Sequence, residues 1–437
     1  MLLINTAHRL AAALAVLFLA LAVIFGTRYF REHGGWDIRS GSDDLMTLML
    51  LVVGAVCASA VAIVRPGPRN PAGAKVVSLI WSATLVLALL FTLRVIAIGD
   101  RWHDDFGTPV HSLQDLDAFI AAHADAFAAY DYQVPTGVYL QSFEFLNANN
   151  VEMSGFVWQE YGPEIPDHVV RGVALPEALE ESYDAQEAWR VEQDGVEEIG
   201  WYFSGQFRQN FDYSLYPFDR QDLWLRIWSP EAVEGVVLVP DFDAYRDLTP
   251  RTLPGVDPEF VYGGWDPLDS EFTYGLVDYN TDFGLGYGFS GERDPELYFN
   301  IQVARDAFSP MLEHLVLEAA IAVLLFLLLV LMTQRTAERG GLSAFDLIVA
   351  SGGLLFAVIL DHNAIRGTIQ SQSLTYLEWY PLILEAYIVL VVLSAVLRVK
   401  QWRVPLLGYS GDLVPVLAYW PALLGTLLVV TLLVFFY

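Results

Sequence analysis

Apolar residues gather in seven long runs, near 7–26, 45–64, 76–98, 311–333, 344–361, 377–398 and 413–436. Each is close to the roughly 20 residues that a helix needs to cross a bilayer. The first run has a long apolar core with Arg9 as its main basic flank and no small-residue cleavage pattern, so it reads as a retained helix. Between the third and fourth runs the period changes to two. VYLQSFEFL (138–146), the turn NANN (147–150) and VEMSGFVWQEY (151–161) read as a hairpin. WYFSGQFRQNF (201–211), LWLRIW (223–228) and ELYFNIQV (296–303) alternate in the same way, which predicts an antiparallel β-sandwich. Residues 112–130 carry a helical pattern with Ser112 as N-cap, and 172–198 a short helix or an extended loop. The expected architecture is a membrane α+β protein. A three-helix region (1–99) precedes a sandwich domain (100–309) and four C-terminal helices (310–437).

The charge is distributed unevenly. The chain carries a net charge of −28, and 101–309 alone holds 39 acidic residues against 10 arginines and no lysine. Such a surface excludes nucleic acid and anionic lipid headgroups as partners. It would concentrate cations, or adapt the protein to a salty medium. The loops 65–75, 334–341 and 398–403 are basic. By the positive-inside rule they and the N-terminus are cytoplasmic, and the acidic domain lies outside. Cys57 is the single cysteine, so no intrachain disulfide or thiolate metal cluster forms.

In the middle of the acidic segment stands NFDYSLYPFDRQDLWLRIW (210–228). Pro217 fixes a turn, Phe218 is an apolar plug and Asp219 a charge beside it. YPFDRQ (216–221), between two strands and upstream of four apolar helices, resembles the signature loop of the pentameric ligand-gated ion channels, the Cys-loop receptor superfamily. The two cysteines of animal members would fall at Gln209 and Leu223, and their absence resembles the prokaryotic branch. PELYFNIQVARDAFSPML (295–312) looks like the family's last outer strand entering its first pore helix. SQSLTYLEWYPLILEAYIVLVVLSAVL (371–397) looks like its third. The likeness spans 135–437 and gives no role to 1–98.

The resemblance implies a homopentamer in the cytoplasmic membrane, opened by a small-molecule or ion ligand and conducting cations. The rival expectation is a non-conducting sensor or scaffold that keeps the receptor fold. It also implies a coupling cluster of Pro217, Phe218, Asp219 and Arg305, with Asn149 and Glu152 of the first hairpin beside it. The second pore helix falls in 337–362. There Gly341, Phe345, Ile348, Gly352, Leu355 and Ile359 share a stripe suited to dewetting, with Glu338 at the cytoplasmic mouth. A rotated helix would present Asp346 and Ser351 instead, and close helix packing would also explain the stripe. Asp361 and His362 fit a solvated helix end, whereas Glu318 and Glu385, inside apolar runs, need partners. Trp158, Trp201, Tyr202 and Tyr279 are the aromatic candidates for a cationic ligand. The acidic loops 241–247 and 278–282 would bind Ca²⁺ or serve as turn acids; no other cofactor is expected. HDD (103–105) lacks the further histidines of a metal hydrolase, and no GxSxG, P-loop or HExxH motif is present, so no enzyme is expected.

Overall fold

The computed structural model describes residues 2–35, 43–66, 70–99, 107–128, 130–230, 235–259, 263–279, 281, 294–332, 343–371, 373–399 and 413–436. The chain divides into a helical unit and a sheet unit. The first comprises Met1–Arg101, Ser214–Phe218 and Ala307–Tyr437, the second Trp102–Tyr213 and Asp219–Asp306. The helical unit begins with α1 (Leu2–His33), α2 (Asp43–Val64) and α3 (Pro71–Ile98). Asn70 caps α3 by accepting from Gly73 N at 2.9 Å, and Pro71 occupies its first turn, where no amide is needed.

The sheet unit opens with β1 (Thr108–Pro109) and the short helices α4 (Leu113–Ala122) and α5 (Ala124–Phe127). Ser112 caps α4 through its contact with Asp115 N. The strands β2 (Tyr132–Asn147), β3 (Asn150–Tyr161), β4 (Asp184–Gln193), β5 (Val196–Arg208) and β7 (Val236–Pro240) make one sheet, in the order β4-β5-β3-β2-β7. The other sheet runs β1-β8-β9-β6, with β6 (Arg220–Ile227), β8 (Trp265–Val277) and β9 (Asp294–Arg305). Most pairings are antiparallel, but β7 joins β2 in parallel. The sheets meet through alternate buried positions such as Val151, Met153 and Val157. The phenol of Tyr274 on β8 donates to Leu238 O on β7 at 2.6 Å.

The first hairpin turns at NANN because Asn147 Oδ1 accepts from the amides of Asn149 and Asn150, at 3.0 and 3.1 Å. Within 172–198 the expectation of a helix or loop gives way to a β4–β5 hairpin. Its turn is Asp194–Gly195, both at positive φ (54° and 84°), the dipeptide that a two-residue hairpin favours.

After the sheets come α6 (Phe308–Leu331), α7 (Ala344–Ile369), α8 (Trp379–Val399) and α9 (Leu413–Phe436). Among the described residues, seven helices are long and apolar enough to span a membrane. The last four share a core of Ile321, Leu325, Leu347, Val358, Ile388 and Leu423. The N-terminal helices pack on α9: Tyr29, Met46 and Val95 bury against Leu428 and Leu432, and Ser78 Oγ donates to Leu417 O at 2.6 Å.

Candidate functional site

The loop after β5 is divided between the two units. Ser214–Phe218 clusters with the helices and the residues on either side with the sheets. Within the helical unit, Tyr376 N donates to Ser214 O at 2.8 Å and Leu377 N to Tyr216 O at 3.1 Å. Pro217 is buried behind a cis peptide bond. The Phe218 ring lies 6.1 Å from Tyr376 and 5.9 Å from Phe435, so the side chain caps an aromatic cluster.

Within the sheet unit, Asp219 is 1% exposed and takes a two-pronged pair from Arg305, Nε at 2.8 Å and Nη2 at 3.1 Å. Gln221 Nε2 donates to Asp219 Oδ2 at 3.0 Å and to Asp212 O at 2.7 Å, which fixes the carboxylate from its other side. The guanidinium stacks 4.1 Å over Trp265. Burial pushes the neighbouring Tyr213 phenol up to about 12, with Arg305 pulling it the other way. Gln209 ties the loop by hydrogen bonds: its Nε2 donates to Trp224 O at 2.5 Å. Gln209 N also donates to Asn149 O at 2.9 Å, so the first hairpin turn joins the root of the loop. The Glu152 side chain is exposed.

Glu338 and Gly341 lie outside the described residues, and α7 carries the rest of the expected stripe. Phe345, Ile348 and Ile359 are exposed, and a Cβ added at Gly352 would meet no atom. Leu355 turns partly into the bundle core. Of the rotated alternative, Asp346 is exposed and closes a capping box with Ser343, whereas Ser351 is buried. Asp361 and His362 are not a solvated end. Asp361 Oδ1 lies 2.8 Å from His314 Nδ1 on α6, and His362 sits between Glu378 and Glu385, at 3.4 and 3.5 Å. Glu378, 1% exposed, also accepts from Arg366 Nε at 2.6 Å. Glu318 is buried on α6.

The four aromatic candidates separate. Trp158 and Tyr202 stand on the outward face of the five-stranded sheet, Trp201 shares the opposite face with Ile199 and Phe203, and Tyr279 belongs elsewhere. Trp158 lines an open groove of about 470 Å³ with Tyr139, Phe156, Trp189 and the carboxylates of Glu160, Glu198, Asp241 and Asp243. Trp158 Nε1 donates to Asp241 at 2.8 Å, and Trp189 Nε1 to Glu198 at 2.9 Å. Burial and the surrounding carboxylates push the Glu160 carboxyl up.

Tyr279 donates to Glu296, which also accepts from Trp228 Nε1 at 2.8 Å and from Tyr298 at 2.6 Å. Arg226 fills this second cluster. It pairs with Glu177, lies 3.5 Å from Glu296 and rests 5.0 Å from the Trp228 ring.

The sequence reading missed Trp189 and Glu198, although the Asp194–Gly195 signal marked their hairpin. It also missed Arg226, Trp228 and Glu296, which only the fold brings together. In the loop 241–247, Asp241 caps a turn through Ala244 N and Asp247 accepts from Thr249 N at 2.8 Å, the work of turn acids. Among the described residues no group of three or more His, Cys, Asp or Glu has the arrangement of a metal site. No known family model matches this chain, and no curated protein sequence matches it.

Proposed function

We propose that this protein is a pentameric, ligand-gated channel of the cytoplasmic membrane, conducting cations and opened by a signal received in the sheet unit. The observation that carries the reading is the divided YPFDRQ loop. Phe218 caps an aromatic cluster of the helical unit, and the next residue, Asp219, is held by Arg305 two residues before that unit resumes at Ala307. A displacement of β6 against β9 changes the Asp219–Arg305 geometry, and the chain carries that change into the helices through covalent bonds on both sides. A paired, largely desolvated charge can bias a two-state equilibrium in this way, because its energy depends steeply on geometry. A ligand that binds one state better than the other then shifts the population. The exposed apolar face of α7, with Phe345, Ile348 and Ile359, is the wall of a pore gated by dewetting.

The same face favours a second reading, a non-conducting receptor whose axis is sealed by Phe345 and its symmetry mates. Imaging the purified protein in lipid nanodiscs tests both. Five-fold symmetry with α7 on the axis is the expected result, and a monomer, a dimer or another axial helix overturns the channel. Cation flux in liposomes separates the conducting from the sealed ring.

A further inference from the structure

The last rung of the five-stranded sheet carries more amide side chains than its turn uses. In the β2–β3 turn, Asn147 Oδ1 accepts from the amides of Asn149 and Asn150, and that one side chain holds the turn. Asn150 stands opposite Arg208 on β5, and its own Oδ1 is buried with no partner among the described residues. An orphaned buried acceptor calls for a partner from outside the chain, water or ligand. Arg208 and Asn210, on the same edge, are exposed, and their side chains bond no described residue. A guanidinium without a carboxylate is unusual in so acidic a unit: Arg171, Arg190, Arg226 and Arg305 each pair with one.

These residues line an open pocket of about 520 Å³, within the roughly 300–1,000 Å³ range of small-ligand sites. Two further elements close on it. Trp224 of β6 lines one side, T-shaped against the Tyr298 ring at 5.8 Å and tied through its carbonyl to Gln209 Nε2. Glu177, in the connection from β3 to β4, lines another. Its carbonyl accepts from Arg208 N at 3.0 Å, and its carboxylate is taken by Arg226.

We propose that this pocket, contained within the sheet unit, binds a neutral polyhydroxylated ligand, a mono- or disaccharide. One face of the sugar ring lies on the Trp224 indole, and its hydroxyls meet Asn150, Asn210 and Arg208. A hydroxyl both donates and accepts; an asparagine amide offers both roles, and the guanidinium adds further donors. The C–H face of a pyranose ring is apolar with positively polarised hydrogens, which suits the negative face of an indole. Charge sets the other classes aside. A cation would meet Arg208, and the one carboxylate among the described lining residues, Glu177, already has its counter-charge. A metal ion needs several converging oxygens, and no described group of His, Cys, Asp or Glu has that arrangement. An anion would find a single guanidinium inside a strongly acidic segment.

Binding at this pocket does not depend on conduction, so it stands or falls apart from the channel reading. Full-length protein in nanodiscs is titrated with D-glucose, D-galactose, N-acetyl-D-glucosamine and lactose, each followed by saturation-transfer difference NMR, with sodium acetate and glycine as charged controls. Saturable transfer to the ring protons of at least one sugar, strongest on one ring face, is the expected result. Trp224→Leu should weaken binding at least tenfold, and the Arg208→Ala/Asn210→Ala double variant at least fivefold. The double variant changes only exposed side chains, which keeps the test decisive if Trp224→Leu fails to fold. Transfer to none of the four sugars overturns the proposal, and binding of acetate or glycine in their place would make this a carboxylate site. Sugar binding unchanged in the double variant overturns it as well.

Discussion

Two places in the sheet unit are built from the same materials and reach opposite solutions. In both, tryptophan and tyrosine surround carboxylates on a sheet edge or face. At the Tyr279 cluster the chain supplies its own cation, Arg226, which pairs with Glu177 and Glu296 beside the Trp228 ring. In the Trp158 groove four carboxylates share the walls, none of the described residues lining it is basic, and one of the four, Glu160, has its carboxyl raised by burial and repulsion. The first is a closed electrostatic unit that belongs to the fold. The second leaves charge unbalanced where solvent or a ligand can reach it. Residue types alone do not distinguish a structural cluster from a binding site; whether the chain completes the charge does.

The largest test of that contrast removes the internal cation. Arg226→Met should cost about 3–5 kcal/mol, because Glu177 and the buried Glu296 lose their counter-charge. Denaturant unfolding measures it, and a loss near zero would mean that the cluster is no more self-satisfied than the groove. Asp219→Asn is the parallel case in the YPFDRQ loop. It should cost about 2–3 kcal/mol, less because Arg305 keeps some access to water and its stacking on Trp265. Under the channel reading it also shifts the ligand concentration for half-opening, whereas a static brace would change stability alone.

A cation can also be added where the chain has none. Ala244→Lys, on the exposed wall of the groove, should raise stability by up to about 1 kcal/mol by supplying the missing counter-charge. A thermal scan reads the gain, and no gain would mean that the groove's carboxylates are already balanced.

The smallest expected effect is that of Glu160→Gln, a gain of roughly 0.2–1 kcal/mol from removing one of two directly opposed charges. Its sign with pH follows from linkage. The folded chain holds the Glu160 proton more tightly than the unfolded one, so the penalty is full above its raised value. It fades as pH falls towards the ordinary 4.5 and is gone below it. The difference in melting temperature between variant and parent should therefore shrink towards acid. A difference constant from neutral pH to pH 4 would place its origin outside titration.

Much of the architecture was legible because it follows from short-range periodicity. Apolar runs marked the seven long helices, and alternation marked β2, β3, β5, β6 and β9. Ser112 announced its helix, and the asparagines of 147–150 their turn. The β4–β5 hairpin was missed because its acidic strand is exposed on both faces and shows no alternation, so only Asp194–Gly195 signalled it. Asp361 and His362 read as a solvated helix end because their partners, His314 and Glu378, are remote in sequence.

The sequence by itself therefore determined the elements, their order and the charge of the sheet unit, all properties of neighbouring residues. It also marked YPFDRQ as unusual. Tertiary structure decided which charges are balanced. Asp219 meets Arg305 across 86 positions and Arg226 meets Glu296 across 70, whereas Glu160 meets Glu198 in a groove that no basic residue lines among those described. Coulomb energy and desolvation depend on distance in space, and strand pairing sets that distance without regard to separation along the chain.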